Sequence, residues 1–343
     1  MHADDTVTFR LRSPSAGPVL LSLEGAPSPI AMMPGSDGVW QVTVGPLAPE
    51  YYGYSFLVDG VGFVDPNNSL LKPNLLNVTS MVHVPGPSYL PWERNNVPHG
   101  VVHHHFYHSD VVGDERDYFV YTPPGYAAGG TYPVLYLLHG FSDDASAWTA
   151  VGRANVILDN LIASHQARPM VVVMPLGYGQ PEIVRRGRPL RHLDRNPVWD
   201  ENVTRFGAAL LTEVMPRVES EYHVGTDPDH RAIAGLSMGG AESLLVGLNH
   251  PETFGWIGSF SAGGLAPDYA AEFPQVNSSL NGRIRLLWIA CGTEDHLLGP
   301  NRRFRAWLAQ QGVAHVDIET PGMHDWMVWR ANLAAFAPLL FTH

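Results

Sequence analysis

The sequence predicts an α/β fold, a doubly wound and mostly parallel sheet, preceded by a small all-β sandwich of immunoglobulin type. Three observations carry this. Apolar residues alternate with period two through the first ~85 residues, and strands alternate with helices from about residue 100. The run Ile233-Ala234-Gly235-Leu236-Ser237-Met238-Gly239-Gly240 reads as a strand that turns sharply into a helix.

With 343 residues the chain is long enough for about two domains with a sizeable core. It is 45% hydrophobic and 16% charged, an ordinary globular composition. A net charge of −12 argues against nucleic acid as a partner, because phosphate binding needs a basic surface. No apolar run approaches the roughly 20 residues of a membrane span, so no membrane partner is expected. Cys291 is the only cysteine, which excludes an intrachain disulfide and leaves the redox compartment open. No basic segment followed by an apolar one stands at the N-terminus. A secreted or periplasmic location is the expectation, with the cytoplasm left open. The sequence does not fix the oligomeric state.

Residues 1–86 are expected to form the sandwich. Alternation marks strands from Thr6 to Arg12 and from Val39 to Val44, Val19 to Leu23 is apolar, and Tyr51 to Val58 is rich in aromatics. Asp59-Gly60 is a hairpin turn before Val61 to Val64, and Thr79 to Val84 closes the set. Residues 87–100, with Pro87, Pro91 and Pro98, read as a stiff linker.

Residues 101–343 carry the α/β pattern. Strands are expected at Arg116 to Tyr121, Val134 to Leu138, Met170 to Met174, Arg231 to Ala234, Trp256 to Phe260, Arg285 to Ala290 and Val316 to Glu319. A helix is expected over Ala147 to Ser164, with Val151, Asn155, Leu158 and Ile162 at helical spacing. Val203, Phe206, Leu210, Val214 and Val218 make one face of another. Trp329, Leu333, Phe336 and Leu340 line the last, which Pro338 disturbs.

Gly235-Leu236-Ser237-Met238-Gly239 is the pattern that lifts a serine hydroxyl off a strained strand-to-helix bend. A serine there is a weak nucleophile without a base, and the base needs an orienting acid. In the doubly wound hydrolase layout these follow in the order Ser, Asp or Glu, His. Asp295 and His324 fit, each in a loop just beyond a strand, where open α/β sheets place their sites. Glu294 and Asp325 compete with Asp295, and His296 competes with His324. Oxyanion donors are expected from the backbone N–H groups of Met238 and Phe141, the latter after the apolar strand that runs into His139-Gly140. His139 reads as structural. The cluster His103, His104, His105 and His108 would point to both faces of one strand, so no metal site is expected. The chemistry calls for no cofactor.

With these residues placed, the region from about 99 to 343 resembles the feruloyl esterase and acetyl xylan esterase group of carbohydrate esterases, relatives of esterase D, the enterochelin esterases and the mycolyltransferases. The carriers are Tyr121-Thr122-Pro123-Pro124-Gly125-Tyr126, Leu137-Leu138-His139-Gly140, the serine turn, Cys291-Gly292-Thr293-Glu294-Asp295 and Pro321-Gly322-Met323-His324-Asp325-Trp326. The resemblance implies an α/β-hydrolase fold with Ser237 as nucleophile, Asp295 as acid, His324 as base, and Phe141 and Met238 as oxyanion donors. Residues Trp40 to Val44, Tyr54 to Gly60 and Asp65-Pro66-Asn67-Asn68 are similar to early-set carbohydrate-binding modules. That module either binds glycan or serves structurally.

The implied substrate is a hemicellulose or another hydroxycinnamoyl or acetyl sugar ester, split through an acyl-enzyme. The segment Gly177 to Asn202 is the expected substrate-facing loop, with Arg185, Arg186, Arg188, Arg191 and Arg195 on it. Trp148, Trp199 and Trp326 are candidates for stacking on an acyl group or sugar ring. An acetyl xylan esterase, a siderophore esterase and an acyltransferase would use the same triad. A glycan-binding protein without catalysis is the alternative of another class.

Overall fold

A computed structural model describes residues 1–14, 17–126, 130–184 and 197–342. The chain divides into two compact units, Met1–Glu93 and Arg94–His343, within the proline-bearing stretch.

Among its described residues the first unit holds nine strands: β1 Val7–Arg12, β2 Val19–Leu23, β3 Ile30–Ala31, β4 Met33–Pro34, β5 Val39–Val44, β6 Glu50–Val58, β7 Val61–Phe63, β8 Leu71–Lys72 and β9 Thr79–Val84. One sheet runs β1-β5-β4, the other β3-β2-β6-β9-β8 with β7 on β6, and all their pairings are antiparallel. The two sheets meet through buried residues of the longer strands. Phe9 of β1 meets Tyr54 of β6 edge-on at 4.7 Å, and Val19, Leu21, Phe56 and Met81 are buried around them. The tiny strands β3, β4 and β8 lie outside the sequence expectation, because two residues are too few to display a period.

The second unit is built on an eight-stranded sheet. Its strands are β10 Val101–Ser109, β11 Asp114–Thr122, β12 Val134–Leu138, β13 Val171–Pro175, β14 Arg231–Leu236, β15 Trp256–Phe260, β16 Leu286–Gly292 and β17 Val316–Thr320. Their order is β10-β11-β13-β12-β14-β15-β16-β17. The β10–β11 hairpin is antiparallel to itself and to β13, and every pairing from β13 to β17 is parallel. Strands β12, β13 and β15 are buried throughout and β14 from Ala232 onward, as a sheet covered on both faces requires. From β12 the chain steps to β13 on one side and returns to β14 on the other. The topological switch thus lies at the carboxyl ends of β12 and β14, the place where open α/β sheets hold their sites.

The helices are α1 Ala147–Ala150, α2 Ala154–Ala163, α3 Pro197–Ala209, α4 Met215–Glu221, α5 Met238–Asn249, α6 Tyr269–Glu272, α7 Leu298–Gln310 and α8 Trp326–Phe336. Two differ from the sequence expectation. The helix expected over Ala147 to Ser164 is broken at Gly152-Arg153, where Arg153 adopts φ +59°, so that α1 and α2 take separate axes. A π-turn at Leu210–Val214 joins α3 to α4. Pro216 in the first turn of α4 lacks an N–H donor, and the widened turn accommodates it while Phe206, Leu210, Val214 and Val218 stay buried.

Candidate active site

Ser237 stands between the end of β14 and the start of α5, with φ +51° and ψ −112°. Such a conformation costs about 1–3 kcal/mol for a residue with a side chain, so its surroundings must hold it. They do so through the backbone. The Ser237 N–H donates to the Phe260 carbonyl at 2.8 Å, and its carbonyl accepts from Ala241 and Gly263, both at 3.1 Å. The two flanking glycines are sterically required. A Cβ on Gly235 would lie 2.5 Å from the Gly239 carbonyl, and one on Gly239 would lie 2.5 Å from the His139 oxygen.

His324 and Asp295 converge on this serine from the loops after β17 and β16. The Asp295 carboxylate lies 2.8 Å from His324 Nδ1, and His324 Nε2 lies 3.0 Å from Ser237 Oγ. An ionised carboxylate only accepts, so Nδ1 carries the proton and Nε2 accepts the serine hydroxyl hydrogen. The Asp295 side chain is fully shielded from solvent, whereas that of His324 is 22% exposed. Burial pushes the Asp295 carboxyl upward. The His324 hydrogen bond and charge, the Leu297 N–H at 2.7 Å and the Ser261 hydroxyl together outweigh it, holding the group below the ordinary carboxylate range. The competitors are placed elsewhere. Asp325 caps α8 by accepting from Met327 and Val328 N–H, Glu294 is exposed, and His296 Nδ1 stands 3.4 Å from Asp295 Oδ1, the oxygen that does not bond His324.

The turn after β12 is fixed with equal care. His139 is buried, its Nδ1 donating to the Gly140 carbonyl and its Nε2 accepting from Gly177 N–H, both at 2.8 Å. Burial pushes this imidazole down to about 4, so it stays neutral and keeps one donor and one acceptor. Tyr178 adds a hydrogen bond from its hydroxyl to the Asp143 carbonyl at 2.8 Å. The Gly140–Phe141 peptide is trans, so anchoring its carbonyl directs the Phe141 N–H the opposite way. Met238 is the first residue of α5, and its N–H has no intrahelical acceptor.

Sequence reasoning missed Glu242, one turn into α5 and wholly buried. Its Oε1 accepts from Asn202 Nδ2 at 3.1 Å, and Oε2 makes no hydrogen bond. Asn202 Oδ1 in turn accepts from Gly179 and Gln180 N–H at 3.0 and 3.1 Å. Burial holds the Glu242 carboxyl well above the carboxylate range, which makes it a neutral acid. The available signal was an acidic residue in the otherwise small and apolar run Met238-Gly239-Gly240-Ala241-Glu242-Ser243-Leu244-Leu245.

The expected aromatic contacts need correction. Trp148, Trp199 and Trp326 are only 1%, 3% and 2% exposed, so none presents a face for ring stacking. Trp148 donates to the Leu138 carbonyl at 2.9 Å, bracing the end of β12. Trp326 meets Trp148 and Trp329 edge-on, and Trp329 meets the His324 ring edge-on at 4.9 Å. Trp199 is packed with Tyr178, Ile183, Met238 and Ala241. Large indoles with buried neighbours gain more from packing than from awaiting a ligand. Arg185, Arg186, Arg188, Arg191 and Arg195 lie outside the described residues. The rest of the expected loop is less open than its composition suggests: Gly177–Gly179 is buried and α3 begins at Pro197.

The histidines of β10 take separate partners. His103 pairs with Thr122, His104 with Asp117, His105 with Tyr222 and His108 with Glu115. Among the described residues no helix is long and apolar enough to cross a membrane.

The sequence pattern of the family described as "Putative esterase" matches residues 109–340. An endo-1,4-beta-xylanase/feruloyl esterase of Xylanibacter ruminicola is 28% identical over 99% of this chain. The chain spans 45% of that relative's length. A ferulic acid esterase of the anaerobic fungus Anaeromyces mucronatus superposes with a TM-score of 0.62 at 26% identity, covering 75% of this chain and 96% of that one. An enterobactin esterase of Shigella flexneri superposes with a TM-score of 0.71 at 20% identity, covering 97% and 92%, a likeness of fold.

Proposed function

The chain belongs to this esterase family, and from that premise we propose that it is a serine carboxylesterase, a feruloyl esterase that releases hydroxycinnamic acids from plant cell-wall hemicellulose. The observation that carries the reading is the continuous line Asp295–His324–Ser237, at 2.8 and 3.0 Å with a single consistent tautomer. The similarity to feruloyl esterases supplies the acyl group.

In this reading His324 Nε2 takes the Ser237 proton as Oγ attacks the ester carbonyl carbon. Asp295 stabilises the imidazolium that forms, without taking its proton. The N–H groups of Phe141 and Met238 hold the tetrahedral oxyanion, each contributing about 3 kcal/mol to the transition state. His324 then protonates the departing sugar oxygen, and water repeats the sequence on the acyl-enzyme. No step uses a cofactor.

Membership of carbohydrate esterase family 1 and a secreted location extend the same reading. The N-terminal sandwich is proposed to be an early-set, CBM48-like module with a structural role. Its Tyr54 is spent in the core, with the hydroxyl donating to Asp65 at 2.8 Å and accepting from Asn68 at 3.0 Å. A side-by-side assay on methyl ferulate, acetylated xylan and a catecholate triester tests the substrate. Ferulate release well above the other two is expected. Preference for acetyl groups or the catecholate would replace the feruloyl reading while keeping the triad.

A further inference from the structure

Beside the proposed triad a second histidine completes a set of metal-ligand atoms. The donor atoms of Asp295, His296 and His324 all lie within 4.8 Å of one another, and the two imidazoles meet edge-on at 4.8 Å. His296 Nδ1 stands 3.4 Å from Asp295 Oδ1. That is longer than a usual N–H···O hydrogen bond. It matches the spacing, about 3.4 Å, of two ligands each ~2.1 Å from one tetrahedral ion. The His296 side chain is 65% exposed, so the set is reached from solvent through that ring. Elsewhere among the described residues no such set occurs, and the histidine-rich strand β10 divides its rings between separate partners.

We propose that Asp295, His296 and His324 form an inhibitory site for a borderline transition-metal ion such as Zn²⁺, with His296 as the ligand that lies outside the triad. The proposal rests on the serine-esterase reading for its effect on turnover, but not for the binding itself. Two imidazoles and one carboxylate suit Zn²⁺, Ni²⁺ or Cu²⁺, whereas Mg²⁺ favours an all-oxygen shell. Binding through His324 Nδ1, the atom that faces Asp295, requires that nitrogen to give up its proton. The neutral ring then carries its proton on Nε2, which points at Ser237 Oγ as a donor and can no longer accept the serine proton. One proton leaves Nδ1 and one is taken up at Nε2, so the ring's charge is unchanged while its tautomer is reversed. The ion thereby switches off the base without touching the serine.

Two readouts on the full chain test this. In calorimetric titration, Ser237→Ala protein is expected to bind one Zn²⁺, and Ser237→Ala/His296→Ala protein about tenfold or more weakly. In turnover of an aryl ester, Zn²⁺ is expected to inhibit the unmutated protein reversibly, with activity restored by chelator and Mg²⁺ without effect. His296→Ala should keep its basal turnover and need at least about tenfold more Zn²⁺ for half inhibition. Equal inhibition of both proteins, or binding unchanged by the His296 substitution, would overturn the site. Binding without inhibition would overturn the capture of His324. Absence of ester turnover in unmutated, metal-free protein would instead count against the esterase reading, and the calorimetry would still decide the site.

Discussion

His139 holds the Gly140 carbonyl through a 2.8 Å hydrogen bond, and in doing so sets the plane of the peptide whose other edge is the Phe141 N–H. The second imidazole nitrogen is pinned by Gly177 N–H, so the ring cannot turn. A residue with no direct contact to an ester thus orients a proposed oxyanion donor. His139→Ala should lower kcat by about 10²-fold, towards the cost of losing one such donor, with KM little changed. Steady-state kinetics on methyl ferulate check this, and a change confined to KM would show that the turn does not need the clamp.

The same histidine gives an acid-sensitive contribution to stability. Its folded value near 4 lies below the unfolded value of about 6.5. A depressed value means that the stabilisation is full above about 6.5 and is lost as pH falls from there towards about 4. The displacement corresponds to about 3 kcal/mol. Urea unfolding at pH 7 and pH 4.5 should therefore show a smaller acid loss for His139→Gln than for the unmutated protein. Parallel losses in both would remove His139 from the account.

Glu242 has the opposite sign. Its carboxyl is held above the ordinary range, so folding is unpenalised below the unfolded value and loses stability as pH rises towards the folded one. Glu242→Gln keeps an oxygen for Asn202 and removes the ionisation. Its melting temperature should match the unmutated protein near pH 4.5 and exceed it increasingly towards pH 9. Glu242→Ala strands the Asn202 amide and should cost about 2–4 kcal/mol near pH 4.5, and less towards pH 9, where the unmutated protein carries the penalty of the buried acid. A Gln variant that is less stable at alkaline pH would mean that the buried acid is ionised after all.

Asp295→Asn offers a third contrast. The amide can present its NH2 to His324 Nδ1, which favours the tautomer with the proton on Nε2. A fall in kcat of about 10⁴-fold is expected, with the fold preserved, since Leu297 N–H still finds an oxygen. Turnover within about tenfold of the unmutated protein would leave the orienting role with Glu294 or Asp325, each of which should then be sensitive instead.

Much of the architecture was legible because strong periods and sharp punctuation are local properties. Continuous apolar runs such as Val171–Met174 mark buried parallel strands, and the positions of Ser237, Asp295 and His324 follow from the ends of three strands. What the sequence hid is set by tertiary packing. Trp148, Trp199 and Trp326 have the composition of a binding rim, yet whether an indole faces a cleft or a core depends on neighbours distant in the chain. Arg153 at φ +59° breaks a helix whose apolar spacing runs straight through it. Glu242 and Asn202 meet across 40 residues of chain, and neither belongs to a motif. His296 adjoins Asp295 in sequence, and only the folded loop turns its ring towards His324.

The most direct test of the central claim is the single-turnover and steady-state kinetics of Ser237→Ala on methyl ferulate, with circular dichroism and thermal unfolding on the same preparation. A loss of kcat of about 10⁶-fold is expected, with an unchanged spectrum and melting curve. Ferulate release close to that of the unmutated protein, from a correctly folded variant, would contradict it.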